Sequence, residues 1–449
     1  MRGLRRWASD TAGGLPATYW YLWSGTLINR IGSFVIVFLA IYLTTERGLS
    51  AAYAGLVLGL YGAGGAIGVL TGGVLADRWG RRPTMLTAYL GAAAAMLVLG
   101  FLHDRYAIAA GALLLGVFTE GVRPAFSAMM IDVVPERDRM RAFTLSYWAI
   151  NLGFACSAVL AGVLAEAGYL LLFVGDAATT LITAAIVLAK VRETRPVRAG
   201  HRSDAGGTST GPGLRAVLGD RVFLAFVGLN LLIALIFMQH LSTLPIAVGR
   251  DGLSPATYGL LIAINGVLIV SGQLFIPKLL RGRNRSHTLA GASVVIGIGF
   301  GLTAFADTAA LYAATIVIWT LGEMLHAPSN STLIAELSPA TLRGRYQGVF
   351  SLSWSVAAFT APTLGGFVQQ HAGNAALWLG SAAIGGFAAI AHVLAGPSRE
   401  RRVASLRTAQ PQATGPAEPA GPVEPAGPVE PAGPQDPLES PRVAVSATP

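Results

Sequence analysis

Cysteine is the rarest residue of this sequence, since Cys156 is the only one among 449 residues. A single cysteine excludes a disulfide within the chain and a metal site built from several thiolates. The HExxH pattern of zinc proteases and the Gly-Lys pair of phosphate-binding loops are also missing. We therefore expect a protein that is not an enzyme and has neither a metal site nor a bound cofactor.

Charged residues are scarce as well. They make up 12% of the chain, whereas 53% of the residues are hydrophobic and the mean hydropathy is positive. A soluble protein of this length would be left with too much apolar surface in water. We therefore predict an all-α membrane protein, in which each helix crosses a hydrocarbon core of roughly 30 Å with about 20 mostly apolar residues.

Twelve windows of that length are bounded by charges, prolines or glycines. They run approximately from 18 to 43, 51 to 76, 84 to 102, 107 to 132, 142 to 165, 168 to 190, 222 to 247, 256 to 280, 288 to 306, 309 to 335, 346 to 369 and 374 to 395. The first window is too long and too polar for a signal peptide and lacks a small-residue cleavage site. We therefore predict twelve transmembrane helices and no soluble catalytic domain.

The basic residues are distributed unevenly between the two sides of these windows. All but five of the 32 Lys and Arg lie in the two tails or in the loops that follow even-numbered windows; Arg47, Arg105 and Arg250 lie in the other loops, and Arg30 and Arg123 lie within windows. Because cytoplasmic loops collect Lys and Arg, we predict a multi-pass protein of the plasma (inner) membrane with both termini in the cytoplasm. The net charge of +9 then faces lipid head groups, and no nucleic acid partner is expected.

The sequence repeats itself. The stretch "GLSAAYAGL" at 48–56 returns as "GLSPATYGL" at 252–260, a displacement of 204 residues that also carries Pro124 to Pro328 and Asp132 to Glu336. Such a repeat predicts two six-helix pseudo-repeats, residues 1–190 and 221–396, related by an axis along the membrane normal. Substrate sites in such folds lie near the midplane between the halves.

Two segments have compositions that differ from the rest of the chain. Residues 191–220 are basic and rich in Gly, Ser and Thr, which indicates a cytoplasmic linker with room for one short surface helix. Residues 397–449 contain the hexads "EPAGPV" and "EPAGPQ", with little apolar bulk. We predict a disordered, Pro-rich cytoplasmic tail there.

The loop between the second and third windows carries a specific signature. In "GGVLADRWGRRPTML", residues 72–86, the positions that match the cytoplasmic loop signature of the major facilitator superfamily without a gap are Gly73, Leu75, Asp77, Arg78, Gly80, Arg81 and Arg82. Together with the twelve windows and the repeat, the chain resembles this superfamily over about residues 18–395. The resemblance implies a gating loop, formed by Gly73, Asp77, Arg78, Gly80, Arg81 and Arg82, whose contact is made in one conformation and broken in the other. The alternative, a basic loop that only fixes topology, explains the arginines but not Asp77 or the glycines.

In the second window Gly55, Gly59, Gly64, Gly68 and Gly72 recur at mostly four-residue intervals, which predicts close helix packing.

Eight charged or histidine residues interrupt the windows. They are Arg30, Glu120, Arg123, Asp176, His240, Glu323, His326 and His392. Such residues are costly in hydrocarbon and usually face a bundle interior or a wet cavity. In the resembled fold, spans 1, 4, 7 and 10 line the central cavity, and these spans hold all of them except Asp176 and His392. We predict a substrate cavity lined by Asn29, Arg30, Glu120, Arg123, Gln239, His240, Trp319 and Glu323, a capping or helix-pairing role for Asp176 and a packing role for His392.

Glu120 has two possible partners. Arg123 lies three residues away on the same helical face, and Arg30 lies near the middle of the first window. A carboxylate in a low-dielectric cavity takes up a proton more readily than in water unless it is paired, and His326 follows Glu323 by one helical turn. Glu120, Glu323 and His326 are therefore the candidates for proton coupling, and whether Glu120 is paired with Arg30 or Arg123 stays open.

Within the superfamily, the chain is most similar to the bacterial drug:proton antiporter branch. The likeness lies in "RPAFSAMMIDVVPERDR" and "GEMLHAPSNSTLIAELSPATLRGRYQG". It implies a monomeric secondary transporter that exports a small lipophilic molecule by alternating access, driven by the proton gradient. The fifth window reads Ser157 and Ala158 where that branch has Gly-Pro, and the alternative is a proton symporter that imports a small nutrient or peptide.

Overall fold

The computed structural model describes residues 13–194, 213–273, 275–339 and 342–408. These ranges contain helices and no β-strand, in agreement with the all-α prediction. We number the membrane spans 1 to 12 in chain order. Spans 1 to 6 are Ala17–Ile31 continued by Phe34–Ile41 and the π-helix Tyr42–Glu46, then Ala51–Arg78, Arg81–Phe101, Arg105–Val133, Arg139–Ala167 and Leu170–Lys190. Spans 7 to 12 are Arg221–Phe237 continued by Gln239–Ser242 and Leu244–Arg250, then Pro255–Gly272, Arg285–Leu302, Ala309–Leu337, Arg343–His371 and Gly373–Leu394.

Eleven of these twelve spans are long and apolar enough to cross a membrane. Span 11 has 29 residues but is interrupted by Ser, Thr, Gln and Gly, and it does not meet the same hydropathy requirement. Short helices connect the spans at Glu136–Asp138, Gly213–Gly219, Ile276–Leu280 and Thr303–Phe305. The positions of the twelve spans agree with the predicted windows to within a few residues, because hydrocarbon thickness sets the length of each span.

The two halves are joined by two pairs of spans. Span 2 packs against span 4 in its own half and against span 11 of the other half, whereas span 5 packs against span 8. Each half therefore gives two spans to the junction. Spans 3 and 6 pack against each other in the first half, and spans 9 and 12 do so in the second.

The predicted glycines of span 2 divide between two neighbours. A methyl group on Gly64, Gly68 or Gly72 would collide with the backbone of span 4. A methyl group on Gly55 or Gly59 would collide with the backbone of span 11. The sequence predicted close packing, and the structure assigns one part of it to the folding of the first half. The other part lies at the junction between the halves.

Among the described residues, the apolar clusters that combine side chains of both halves lie toward one end of the bundle. We call the end that holds Arg81 the basic end, and the end that holds the loop between spans 1 and 2 the opposite end. At the opposite end one apolar cluster contains side chains of both halves, including Phe38 and Tyr258, whose ring centroids are 5.4 Å apart. Toward the basic end the clusters around Met129 and around Tyr346 each draw on a single half. The junction is therefore closed at the opposite end, and each half packs by itself toward the basic end.

Span 1 is broken near its middle, between Ile31 and Phe34. The carboxylate of Asp176 in span 6 accepts a hydrogen bond from the backbone N–H of Val35 at 3.1 Å, at the start of the second segment. A carboxylate at this place satisfies an N–H group that a helix start leaves unpaired. The predicted capping role of Asp176 is confirmed.

The first residues of the predicted tail are ordered, because Gly396–Thr408 forms a helix. Arg402 donates to the carboxylate of Asp220, just before span 7, at 2.9 Å. Arg399 is buried over the ring of Phe226 and donates to Nδ1 of His392 at 3.0 Å; burial lowers the pKa of Arg399 to about 10, so it stays charged at neutral pH. The disordered-tail prediction is corrected for residues 397–408, since tertiary partners hold charges that composition assigned to solvent. The Pro-rich hexads and linker residues 195–212 lie outside the described residues.

Candidate functional site

Glu120 and Arg123 form an ion pair on one face of span 4. Arg123 Nη1 donates to Glu120 Oε2 at 2.7 Å. A methyl group on Gly65 of span 2 would lie 2.9 Å from Cγ of Glu120, so this glycine leaves room for the carboxylate. Among the ion pairs of the described residues, none joins Glu120 to Arg30. In this conformation Arg123 is the residue that neutralises Glu120.

The Glu120–Arg123 pair is partly exposed in span 4. The Arg123 side chain is 67% exposed, whereas the Glu120 side chain is 22% exposed. A guanidinium facing lipid at this depth would cost several kcal/mol, so exposed arginines in spans face water-filled cavities. The exposure of Arg123 is therefore consistent with a hydrated site, and the position of the pair at the surface of a central opening between the halves stays a prediction.

Asn29 and Arg30 lie elsewhere, inside the first half. They line a small cavity of about 40 Å³ together with Tyr61, Tyr89 and Asp176, and every other residue around it also belongs to the first half. Asn29 Nδ2 donates to a threonine hydroxyl of span 6 at 3.0 Å. A cavity of this size holds one or two waters. The cavity that these two residues line is therefore formed within the first half, and their contribution to a substrate cavity between the halves stays a prediction.

Glu323 is bound by a neutral partner. Its Oε2 accepts a hydrogen bond from Nδ2 of Asn265 in span 8 at 2.8 Å, and the same Nδ2 donates to Thr320 Oγ1 at 3.1 Å. Among the ion pairs of residues 13–194, 213–273, 275–339 and 342–408, none includes Glu323. Tyr147 of span 5, in the other half, is close enough to sense its charge. Glu323 thus lies where spans 8 and 10 meet, next to the junction of the halves.

His326 is not hydrogen-bonded to Glu323 in this conformation. It is 6% exposed, and its Nε2 is buried with no hydrogen-bond partner in the described part of the chain. Its titratable neighbour is His392 of span 12. A relay from Glu323 through His326 remains a prediction. Within the described ranges, no group of three His, Cys, Asp or Glu side chains has a geometry that would hold a metal ion.

Gln239, His240 and Trp319 come together in closed packing. Gln239 Nε2 donates to the carbonyl of Ala361 in span 11 at 3.0 Å, which ties spans 7 and 11 together. The rings of His240 and Trp319 are 5.8 Å apart, and Trp319 also stacks on Phe300 at 5.3 Å. Because Trp319 is only 1% exposed, its indole has no open face for a substrate in this conformation.

The gating loop is held within the first half by Glu193, which the sequence analysis did not identify. Its carboxylate accepts the backbone N–H groups of Arg81 and Arg82, each at 3.0 Å, and so caps span 3. Gly80 has a φ of 112°, and a methyl group there would collide with the same carboxylate. Glycine is therefore favoured at position 80 by the backbone conformation, and the missing side chain leaves room for the carboxylate of Glu193.

The same loop forms an ion pair that recurs in the second half. Arg81 Nε lies 3.1 Å from Asp132 Oδ2, and Arg285 Nη1 lies 2.6 Å from Glu336 Oε2. Both members of the second pair are displaced from the first by the repeat of 204 residues. The repeat matches Asp132 with Glu336 in the sequence, and the same displacement also relates Arg81 to Arg285.

The remaining residues of the loop, Gly73, Asp77 and Arg78, make no such contact with other described residues. Asp77 and Arg78 are exposed at the end of span 2, and in the described ranges Asp77 makes no hydrogen bond or ion pair. Gly73 has space around it, since a methyl group there would lie 3.9 Å from Pro124. The resemblance implied a gating contact that one conformation lacks, and Asp77 makes no such contact in a structure whose halves separate toward this end.

Comparison with known proteins decides the family. The family model of the Major Facilitator Superfamily matches residues 22–362. The chain belongs to this superfamily. It is 30% identical over 372 residues to the uncharacterized MFS-type transporter YttB of Bacillus subtilis, with 81% of this chain and 91% of YttB covered. This superfamily member is a multi-pass membrane transporter.

Two further relatives are named after their activities. Multidrug resistance protein MdtH of Salmonella arizonae is 24% identical, with 75% of this chain and 82% of MdtH covered. A Na(+), Li(+), K(+)/H(+) antiporter of Planococcus maritimus is 22% identical, with 73% and 84% covered.

Solved structures confirm the fold. An auto-inhibited POT family peptide transporter superposes with a TM-score of 0.71 at 18% identity, covering 85% of this chain and 97% of its own. The nucleoside transporter NupG superposes with a TM-score of 0.71 at 14% identity, covering 85% and 99%. At these identities the likeness concerns the superfamily fold alone.

Proposed function

We propose that this superfamily member is a proton-coupled antiporter that exports a small lipophilic organic molecule by alternating access. The observation that carries the proposal is the environment of Glu323. Its carboxylate is held by the neutral amide of Asn265 at 2.8 Å, and no ion pair of the described residues neutralises it. A carboxylate without a counter-ion in a water-poor site binds and releases a proton as water access changes.

In this proposal Glu120 is a second proton-binding residue besides Glu323. Its ion pair with Arg123 must open before its carboxylate is free for a proton. With Arg123 neutralised and Glu323 without a counter-ion, the opening suits neutral or cationic molecules better than anions. The similarity to a multidrug resistance protein and to a cation/proton antiporter supports the same direction of transport.

We further propose that the basic end faces the cytoplasm, with both termini on that side of the plasma (inner) membrane. The arginine distribution supports this orientation. The described conformation is then open to the inside, because the halves are joined at the opposite end. Transport requires the halves to rock so that the junction opens at that end and Asp77 makes its gating contact.

The proposal is tested with Glu323→Gln in proteoliposomes under an imposed pH gradient. Gln keeps an oxygen that accepts the Asn265 hydrogen bond, so we expect folded protein with only a small loss of stability, about 1 kcal/mol. The probes are ethidium, a lipophilic cation, and dialanine, a small nutrient. We expect gradient-driven ethidium export to fall to background in the variant, whereas ethidium exchange without a gradient persists.

The matched control is Glu166→Gln, which removes the same charge from the exposed end of span 5 and should transport normally. Gradient-driven export in Glu323→Gln at the wild-type rate would remove Glu323 from the coupling mechanism. Dialanine uptake together with protons, without ethidium export, would replace the antiporter by the importing symporter.

A further inference from the structure

A second cavity lies at the basic end of the second half, away from the residues assigned to transport. It has a volume of about 500 Å³ and opens between the connection of spans 8 and 9 and the end of span 10. The polar side chains around it are Arg281, Arg283, Arg285, Thr288, Ser329 and Thr332. No carboxylate is among the described residues that line it.

The charge of this cavity is only partly neutralised. Arg285 is paired with Glu336 at 2.6 Å, outside the lining. Arg281 and Arg283 make no ion pair among the described residues. Gly282 between them has a φ of 76°, so the chain turns tightly and both arginines line one cavity. Two guanidiniums without counter-ions leave a strongly positive pocket.

The hydroxyl groups of the pocket already donate hydrogen bonds within the protein. The hydroxyls of Thr288, Ser329 and Thr332 each donate to a carbonyl of their own helix, at 3.0, 3.0 and 2.8 Å. The first N–H groups of span 9 donate to the side chain of Asn284. Donors for an incoming ligand are therefore the guanidiniums, whose planar forks match phosphate oxygens.

An apolar surface adjoins the pocket. Phe275 and Leu279 are 66% and 53% exposed; Leu279 directly precedes the lining residues Leu280 and Arg281, and Phe275 lies about one helical turn before Leu279. Because these exposed apolar side chains lie between two membrane spans, we expect them to contact acyl chains. A phospholipid thus meets both a cationic pocket and an apolar surface at this place, as expected of basic pockets between helices that hold anionic lipid head groups.

We propose that this pocket binds a phosphate-bearing anion, held by Arg281 and Arg283. The phosphate belongs to the head group of a phospholipid, because the adjoining apolar side chains contact the acyl chains of the same lipid. The proposal does not depend on the transported molecule or on the direction of transport.

The test is a titration of the purified full-length chain in detergent, read by native mass spectrometry and by thermal unfolding. The probes are short-chain phosphatidylglycerol, short-chain phosphatidylcholine and inorganic phosphate. We expect phosphatidylglycerol to bind the wild-type chain and Arg281→Gln/Arg283→Gln to weaken this binding about 30-fold, or about 2 kcal/mol, from about 1 kcal/mol per arginine. Arg281→Lys/Arg283→Lys keeps the charges without the forks, and we expect an intermediate affinity.

The matched control is Arg343→Gln/Arg345→Gln, which removes two exposed arginines from the same end and lies outside the pocket. Phosphatidylglycerol should bind this variant as it binds the wild type. Equal weakening in both double variants would overturn the proposal, since binding would then follow net charge alone. Saturation by inorganic phosphate that blocks phosphatidylglycerol would support the anion site with a free phosphate as its source. Absence of binding by either anion would also overturn the proposal.

Discussion

Substitutions of two glycines in span 2 are expected to distinguish an effect on folding from an effect on the conformational equilibrium. One of these glycines lies at the junction of spans 2 and 11. A methyl group on Gly55 would collide with the carbonyl of Pro362 across the halves, and a methyl group on Gly68 would collide with the carbonyl of Val117 within the first half. Overpacking of this kind costs about 1–3 kcal/mol. If the halves rock, Gly55→Ala bears this cost only while the junction is closed at the opposite end. Gly68→Ala bears its cost in every folded conformation.

The magnitude follows from the two-state equilibrium. A penalty of about 1–3 kcal/mol on one conformation shifts its population relative to the other by about 5- to 150-fold. Gly55→Ala is therefore expected to favour the conformation that is open at the opposite end, with little effect on the unfolding temperature. Gly68→Ala is expected to lower the unfolding temperature and leave the equilibrium between the conformations unchanged.

Distances between spin labels measure this shift. Labels on Glu46→Cys and Ala375→Cys report across the opposite end, in a Cys156→Ser background, because both positions are exposed there. We expect longer distances in Gly55→Ala than in Gly68→Ala. If Gly55→Ala instead shows the unaltered distance distribution and a lowered unfolding temperature, the span 2 to span 11 contact does not open, and the rocking mechanism fails at this junction.

Three further predictions concern the central opening, the gating loop and the end of the chain. Glu120→Gln should abolish gradient-driven ethidium export in proteoliposomes and leave the protein folded, because Arg123 remains hydrated in the opening; normal export would exclude Glu120 from the mechanism. Asp77→Asn should lower the turnover rate more than the affinity for ethidium, since it removes a contact of the other conformation, and an unchanged rate would leave the loop with a topological role only. A chain that ends at residue 408 should transport normally, whereas Arg402→Gln should lower the unfolding temperature by loss of its bond to Asp220; lost transport in the well-expressed truncated chain would contradict the first expectation.

The sequence alone determined those features that depend on local composition and on the repeat. Span positions follow from hydrocarbon thickness, and the match of Asp132 with Glu336 follows from the displacement of 204 residues. The close packing of span 2 was readable from its glycines, and Asp176 was readable as a cap because its span is peripheral in the resembled fold.

Only the tertiary structure decided which charged groups meet. Glu120 had two possible partners, and the rotation of span 1 about its axis turns Arg30 into the first half, so Arg123 forms the pair. Glu193 lies 112 residues from Arg81, and Arg402 lies 182 residues from Asp220, so neither contact is visible in a local pattern. The assignment of Gly55 to the junction and Gly68 to the first half has the same cause, because helix rotation decides which neighbour each face meets.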